Sequence, residues 1–295
     1  MTSRNSRFLD TGKASAAWNM AVDEVLHVGC RSHLVAGGSA EDAPFTFRVY
    51  RWSHPALTIG RNQKAWRDDF TRRLREEGVD LCRRLTGGRA VLHDREVTYS
   101  VAGPEGLLGA TIEESYRGIS EGLAAGLRRL GVSVEFAPPS GRSYASQPSC
   151  FATISAWELS IGGRKVAGSA QCREGGAVLQ HGSILLQSSE ARMASLLRPR
   201  THREIDAEQL SAHHAVGLSD ALGREVGYRE TARSLREGMS EVFGPFREGS
   251  LTDDEIAHAD ALVTRRYANP IWTHGHQCRD RPDSSCSNPP RAVKG

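Results

Sequence analysis

Two glycine pairs, Gly162-Gly163 and Gly175-Gly176, punctuate a stretch otherwise built of strand-forming residues. Paired glycines are costly inside a helix and suit the tight turns of β-hairpins. The region 150–187 is therefore predicted to be antiparallel: strands at 157–161 and 165–171 about the first pair, and 177–186 after Glu174-Gly175-Gly176. Further strands are predicted at 45–52, 56–59 beyond Pro55, 79–84, 89–92, 97–102 and 132–136.

Helical periodicity lies around these strands. Ala17, Ala21, Val22, Val25 and Leu26 share one face of a helix at 14–28, with Asp23 and Glu24 on the other, and a loop is expected at 31–43. Other helices are predicted at 68–78, 115–130 and 228–243. Another follows the capping box Thr252-Asp253-Asp254-Glu255 and ends near Asn269, before Pro270. Mostly antiparallel strands with helices outside them imply an α+β fold. The expected organisation is one catalytic-sized domain over 1–272 and a polar, disordered tail over 273–295.

The chain has 295 residues, 39% hydrophobic and 25% charged, enough to bury a core. No run approaches the ~18 apolar residues of a membrane span, and residues 1–10 lack an apolar signal segment, so a cytoplasmic protein is expected. A net charge of +3 argues against a nucleic-acid partner. The six cysteines are scattered and read as reduced thiols. His213 and His214 read as solvated, and His274, His276, Cys278 and Cys286 fit no zinc template, so no metal is expected. Of 38 basic residues only four are lysine, Lys13, Lys64, Lys165 and Lys294. Arginine replaces lysine at most solvated positions but not where a compact, deprotonatable amine is needed. An interior lysine is therefore a lead.

Three stretches carry chemistry. In Arg83-Arg84-Leu85-Thr86-Gly87-Gly88-Arg89-Ala90-Val91-Leu92-His93-Asp94, two glycines at a strand–turn–strand junction allow close approach of a ligand, and the arginines could hold a phosphate or carboxylate. Taken alone, it is equally a tight turn beside surface arginines. Cys150, after a Pro- and Ser-rich loop, precedes Lys165-Val166-Ala167-Gly168-Ser169-Ala170. A cysteine with a nearby amine suits acyl transfer, while a packed thiol and a solvated lysine are the plainer alternative. In Gln180-His181-Gly182-Ser183, His181 could face a pocket or be a satisfied strand histidine.

Together these stretches resemble the biotin/lipoyl protein ligase superfamily, in its lipoate–protein ligase A-like branch. Asn19-Met20-Ala21-Val22-Asp23-Glu24, Gly60-Arg61-Asn62-Gln63, residues 83–93, residues 163–170 and residues 180–186 match its motifs in order. The Pro148-Ser149-Cys150-Phe151 stretch, with its cysteine ahead of the lysine, is similar to the cysteine-dependent octanoyltransferases. The resemblance implies Cys150 as nucleophile and Lys165 as essential amine. It implies a substrate site made of Arg84, Thr86, Gly87, Gly88, Arg89, Ala90, His93, Gly168, Ser169, Ala170, His181 and Gly182. It further implies octanoyl-acyl carrier protein as donor, a glycine cleavage H protein or E2 lipoyl domain as acceptor, and no cofactor, ATP or metal. ATP-dependent lipoate or octanoate ligase, octanoyl amidotransferase between lipoyl domains, and a noncatalytic acyl-binding protein are the alternatives. Cys82 and Cys172 are expected to be structural.

Overall fold

Both glycine pairs close hairpins, with φ of +54° and +72° at Gly162 and Gly163 and +57° and +79° at Gly175 and Gly176. The structure, a computed structural model, describes residues 5–63, 68–136, 157–197 and 215–274. It begins with β1 (Ser6–Ala14), α1 (Ala16–Val35), β2 (Phe45–Trp52), β3 (Ala56–Ile59), α2 (Asp68–Glu76), β4 (Asp80–Arg83), β5 (Val91–His93) and β6 (Glu96–Pro104). Next come α3 (Glu105–Leu108), α4 (Ile112–Arg129), β7 (Glu135–Phe136), β8 (Leu159–Ile161), β9 (Arg164–Lys165), β10 (Ala167–Glu174), β11 (Ala177–Leu185) and α5 (Glu190–Leu197). The remainder is α6 (Leu218–Leu222), α7 (Tyr228–Phe243), β12 (Arg247–Glu248), α8 (Asp253–Leu262) and α9 (Pro270–His274).

The main sheet has the order β10-β11-β6-β2-β1-β12. It is antiparallel from β10 to β2, while β1 runs parallel to both β2 and β12. Two three-stranded sheets, β4-β3-β5 and β7-β8-β9, complete this mixed, largely antiparallel α/β architecture.

Strand alternation gives the central strands two different faces. Phe45, Phe47 and Val49 on β2 and Val97, Tyr99 and Val101 on β6 enter one apolar cluster with Ile119, Leu123 and Leu127 of α4 and Leu235, Met239 and Phe243 of α7. The opposite face carries Arg48, Glu96, Thr98, Ser100, His181 and Ser183, all of them buried. Such a pattern normally marks a solvated face. Here α1 and the β4-β3-β5 sheet lie over it, through contacts such as Arg48 to Asp23 and Ser183 to His93.

Several sequence expectations change. Helix α1 runs through Val35, because Cys30 and Leu34 pack with Ala43 and Ala177 and the glycines of the 31–43 stretch begin only at Gly37. Asp23 and Glu24 are not on a solvated face: they are 1% and 7% exposed and paired. Strand β1 has little apolar content to signal it, and Phe8 and Leu9 are its buried hydrophobics. Pro55 sends β3 into a different sheet from β2, and β9 and β10 part at Val166. The expected loop after Phe136, Cys150, His213, His214 and residues 275–295 lie outside the described residues. Thr273 and His274 belong to α9, where the Thr273 carbonyl accepts from Arg83.

Helices α4 and α7 cross where glycines let backbones touch. A Cβ on Gly238 would lie 2.1 Å from Gly126 N and 2.4 Å from Gly122 O. Neither neighbour is a flexible side-chain end, so the helices would have to separate. Gly238→Ala is expected to lower stability by about 1–3 kcal/mol despite the better helix propensity of alanine, as measured by urea unfolding.

Candidate active site

Hydrogen bonds and an ion pair hold Arg48 and Asp23 at the centre of the buried polar face. Arg48, fully buried on β2, donates from Nη1 to Asp23 Oδ1 at 2.7 Å and to Asn19 O at 3.0 Å. Its Nη2 reaches Asn19 Oδ1 at 2.8 Å and its Nε reaches Thr11 Oγ1 at 2.9 Å. Asp23 also accepts from Tyr50 OH at 2.9 Å and lies 2.8 Å from His181 Nδ1. Burial works to raise the Asp23 carboxyl, but Arg48 and His181 outweigh it and the net shift is downward. Burial lowers His181, against the pull of Asp23.

Next to this group lies a cavity between the main sheet and β4-β3-β5. Met20, Tyr50, Trp52 and Val91 form its apolar lining. Arg84, His93, Gly168, Ser169, Ala170, His181 and Gly182, all predicted from the sequence, line it as well. Gly182 admits no side chain, since a Cβ there would lie 2.5 Å from Gly168 O. Ser169 Oγ is 2.7 Å from Tyr99 OH. His93 stacks on Trp52 with centroids 4.1 Å apart, and its Nδ1 lies 2.7 Å from Glu96 Oε1.

The Gly87–Gly88 turn sits against Gly60, whose hypothetical Cβ would be 2.0 Å from Gly88 O. The two arginines before it serve the protein itself. Arg83 donates to the carbonyls of Gly60, Arg61, Gln63, Trp272 and Thr273, tying the turn to the C-terminal helix. Arg84 donates from Nη2 to Gly87 O at 2.8 Å and Arg89 O at 2.6 Å. The expectation that both flanking arginines hold a ligand anion is thus corrected for Arg83, whose donors go to backbone. Thr86 is buried and bonded to His181 Nε2 at 2.7 Å. Ala90 points into the cluster of Leu57, Ile59 and Leu74, and Arg89 is buried beside it.

Lys165 has no exposed surface, and its Nζ donates to Glu158 Oε1 at 2.7 Å, with the Glu158 side chain 2% exposed. The parallel bridge to Ala215 fixes its backbone. Glu158, Arg48, Tyr50, Thr58, Glu96 and Thr98 were not singled out from the sequence. The available signal was the run of polar side chains alternating with hydrophobics on β2 and β6, which looks like an ordinary half-exposed strand until both faces are covered.

Burial pushes the thiols of Cys30, Cys82 and Cys172 up to about 12, away from the thiolate that a nucleophile needs.

A mixed sheet whose polar face is roofed by a small sheet, with a cavity between them lined by the motif residues, is the frame of this candidate site. Residues 15–240 match the lipoyl protein ligase A/B catalytic domain, and the chain belongs to that family. Octanoyltransferase LipM of Kyrpidia tusciae is 42% identical over 272 residues, 89% of this chain and 96% of that one. The Bacillus subtilis protein of the same name is 34% identical, covering 91% of this chain and 97% of its own. Among solved structures, a lipoate-protein ligase A bound with ATP superposes with TM-score 0.72 at 23% identity, over 92% of this chain and 99% of that chain, a likeness of fold.

Because burial lowers His181 from its ordinary 6.5, the unfolded chain takes up a proton before the folded one as pH falls. Stability should therefore decline on acidification below about pH 6.5. His181→Asn should flatten that decline relative to wild type in urea titrations between about pH 7 and 5.

Proposed function

We propose that the chain is an octanoyltransferase of protein lipoylation, built as one catalytic domain over residues 1–272. It takes octanoyl from acyl carrier protein and passes it to a lysine of a glycine cleavage H protein or an E2 lipoyl domain. The observation that carries this reading is the near end-to-end match to relatives named octanoyltransferase LipM. The buried Lys165 and the apolar cavity lined by Met20, Trp52 and Val91 fit it chemically.

In the proposed reaction the Cys150 thiolate attacks the carbonyl of the donor thioester. Lys165 Nζ and backbone N–H groups hold the oxyanion as the carbonyl electrons move to oxygen. Collapse expels the carrier thiolate, which takes a proton and leaves octanoyl-Cys150. The acceptor amine then attacks that carbonyl, loses a proton and displaces the Cys150 thiolate, giving an amide. The acyl group stays activated as a thioester throughout, so the exchange needs no ATP and no metal. The high values of the three described cysteines support a nucleophile elsewhere.

A comparison of donors tests the assignment. Octanoyl-carrier protein alone should octanoylate the acceptor, and free octanoate with ATP should not. Pyrophosphate release with free octanoate would instead make the chain a ligase, and preference for an octanoylated lipoyl domain would make it an amidotransferase. Lys165→Arg keeps the charge but not the compact amine. It should reduce kcat by about 10²-fold, the scale of losing one oxyanion donor, in the same assay.

A further inference from the structure

Two hydrogen-bond chains meet at Arg84. In the first, Asp23 Oδ2 lies 2.8 Å from His181 Nδ1, His181 Nε2 lies 2.7 Å from Thr86 Oγ1, and Thr86 Oγ1 accepts from Arg84 Nε at 3.2 Å. In the second, Glu96 Oε1 lies 2.7 Å from His93 Nδ1, His93 Nε2 lies 2.8 Å from Thr58 Oγ1, and Thr58 Oγ1 accepts from Arg84 Nη1 at 3.2 Å. All seven residues are buried.

The ends of each chain fix its direction. A carboxylate can only accept, so Nδ1 of each imidazole carries a proton, and in the neutral ring Nε2 is then an acceptor. Each threonine must then give its O–H to a histidine, which leaves its lone pairs for the guanidinium. Both chains therefore run from one shared guanidinium to a carboxylate, and each link along them pairs a donor with an acceptor. The downward shift of His181 by burial agrees with the neutral ring that this order requires. In this arrangement neither Nε2 lone pair is available as a base.

The consequence is geometric. With Nε held by Thr86 and Nη1 by Thr58, the plane of the guanidinium is set. Its third nitrogen then grips Gly87 O and Arg89 O, and a Cβ on Gly88 would stand 2.9 Å from it. We propose that His181 and His93 are positioning residues: through Thr86 and Thr58 they aim Arg84, which holds the Gly87–Gly88 turn in place beside the cavity. The kinetic side of this proposal rests on the reading of that cavity as the octanoyl site.

The test uses the full chain and breaks one link at a time. Asparagine can replace the Nδ1–H that faces Asp23 but cannot reach Thr86, so His181→Asn disconnects the relay while satisfying the carboxylate. His181→Asn and Thr86→Val should each accelerate amide hydrogen exchange of the 86–89 segment, and raise KM for octanoyl-carrier protein, about tenfold, with kcat within about twofold of wild type. The double variant should be no worse than either single one, because both cut the same chain. Thr86→Ser should restore both readouts. Unchanged exchange at 86–89, effects that multiply in the double variant, or a fall in kcat at constant KM would overturn the proposal. If Thr86→Val does not fold, the cycle of His93→Asn with Thr58→Val applies the same criteria to the second chain. The exchange readout needs no turnover. Faster exchange in the variants of a protein that uses no octanoyl donor would sink the octanoyl reading and leave the positioning role standing.

Discussion

Three adjacent strands, β2, β6 and β11, bury charged and hydroxyl side chains on one face. A buried polar group without a partner costs about 1–3 kcal/mol, and a buried charge costs more. That constraint organises the rest of the molecule. Helix α1 must bring Asn19 and Asp23 onto Arg48, and the small sheet with the turn after β4 must bring His93 onto Glu96 and Ser183, and Thr86 onto His181. The other face needs only apolar contact, and α4 and α7 supply it.

The same constraint explains why the site is rigid where it is polar. Arg48 stacks on Tyr50 at 3.9 Å while its three nitrogens are all bonded. Trp52 is pinned by Thr98 Oγ1 at 2.7 Å and by the stacked His93 ring. The cavity therefore has a wall whose side chains have fixed places. The glycines Gly168 and Gly182 bring two backbones close at that wall.

Much of this was legible in the sequence, for reasons tied to individual residues. Glycine pairs can announce turns without help from the rest of the fold, so the β10–β11 hairpin was foreseen. The rarity of lysine singled out Lys165, which is fully buried against Glu158. The ordered motifs brought seven of the predicted site residues to one cavity. What could not be read was the fate of polar residues on alternating strands. Thr98, Ser100 and Glu96 have the pattern of a half-solvated strand, and only the arrival of a second layer makes them a site. The burial of Asp23 and Glu24 could not be read for the same reason, since helical periodicity separates the two faces without saying that both are covered. Arg83 looked like an anion ligand because its backbone partners, Trp272 and Thr273, are far away in sequence.

The central claim is that acyl transfer in this chain proceeds through Cys150 and not through the buried thiols. Intact-mass and peptide-mapping mass spectrometry after incubation with octanoyl-carrier protein, without acceptor, tests it most directly. The account predicts one octanoyl group, on the peptide containing Cys150, and none in a Cys150→Ser variant. An unmodified wild-type protein that still turns over, or a label on Cys82 or Cys172, would contradict it.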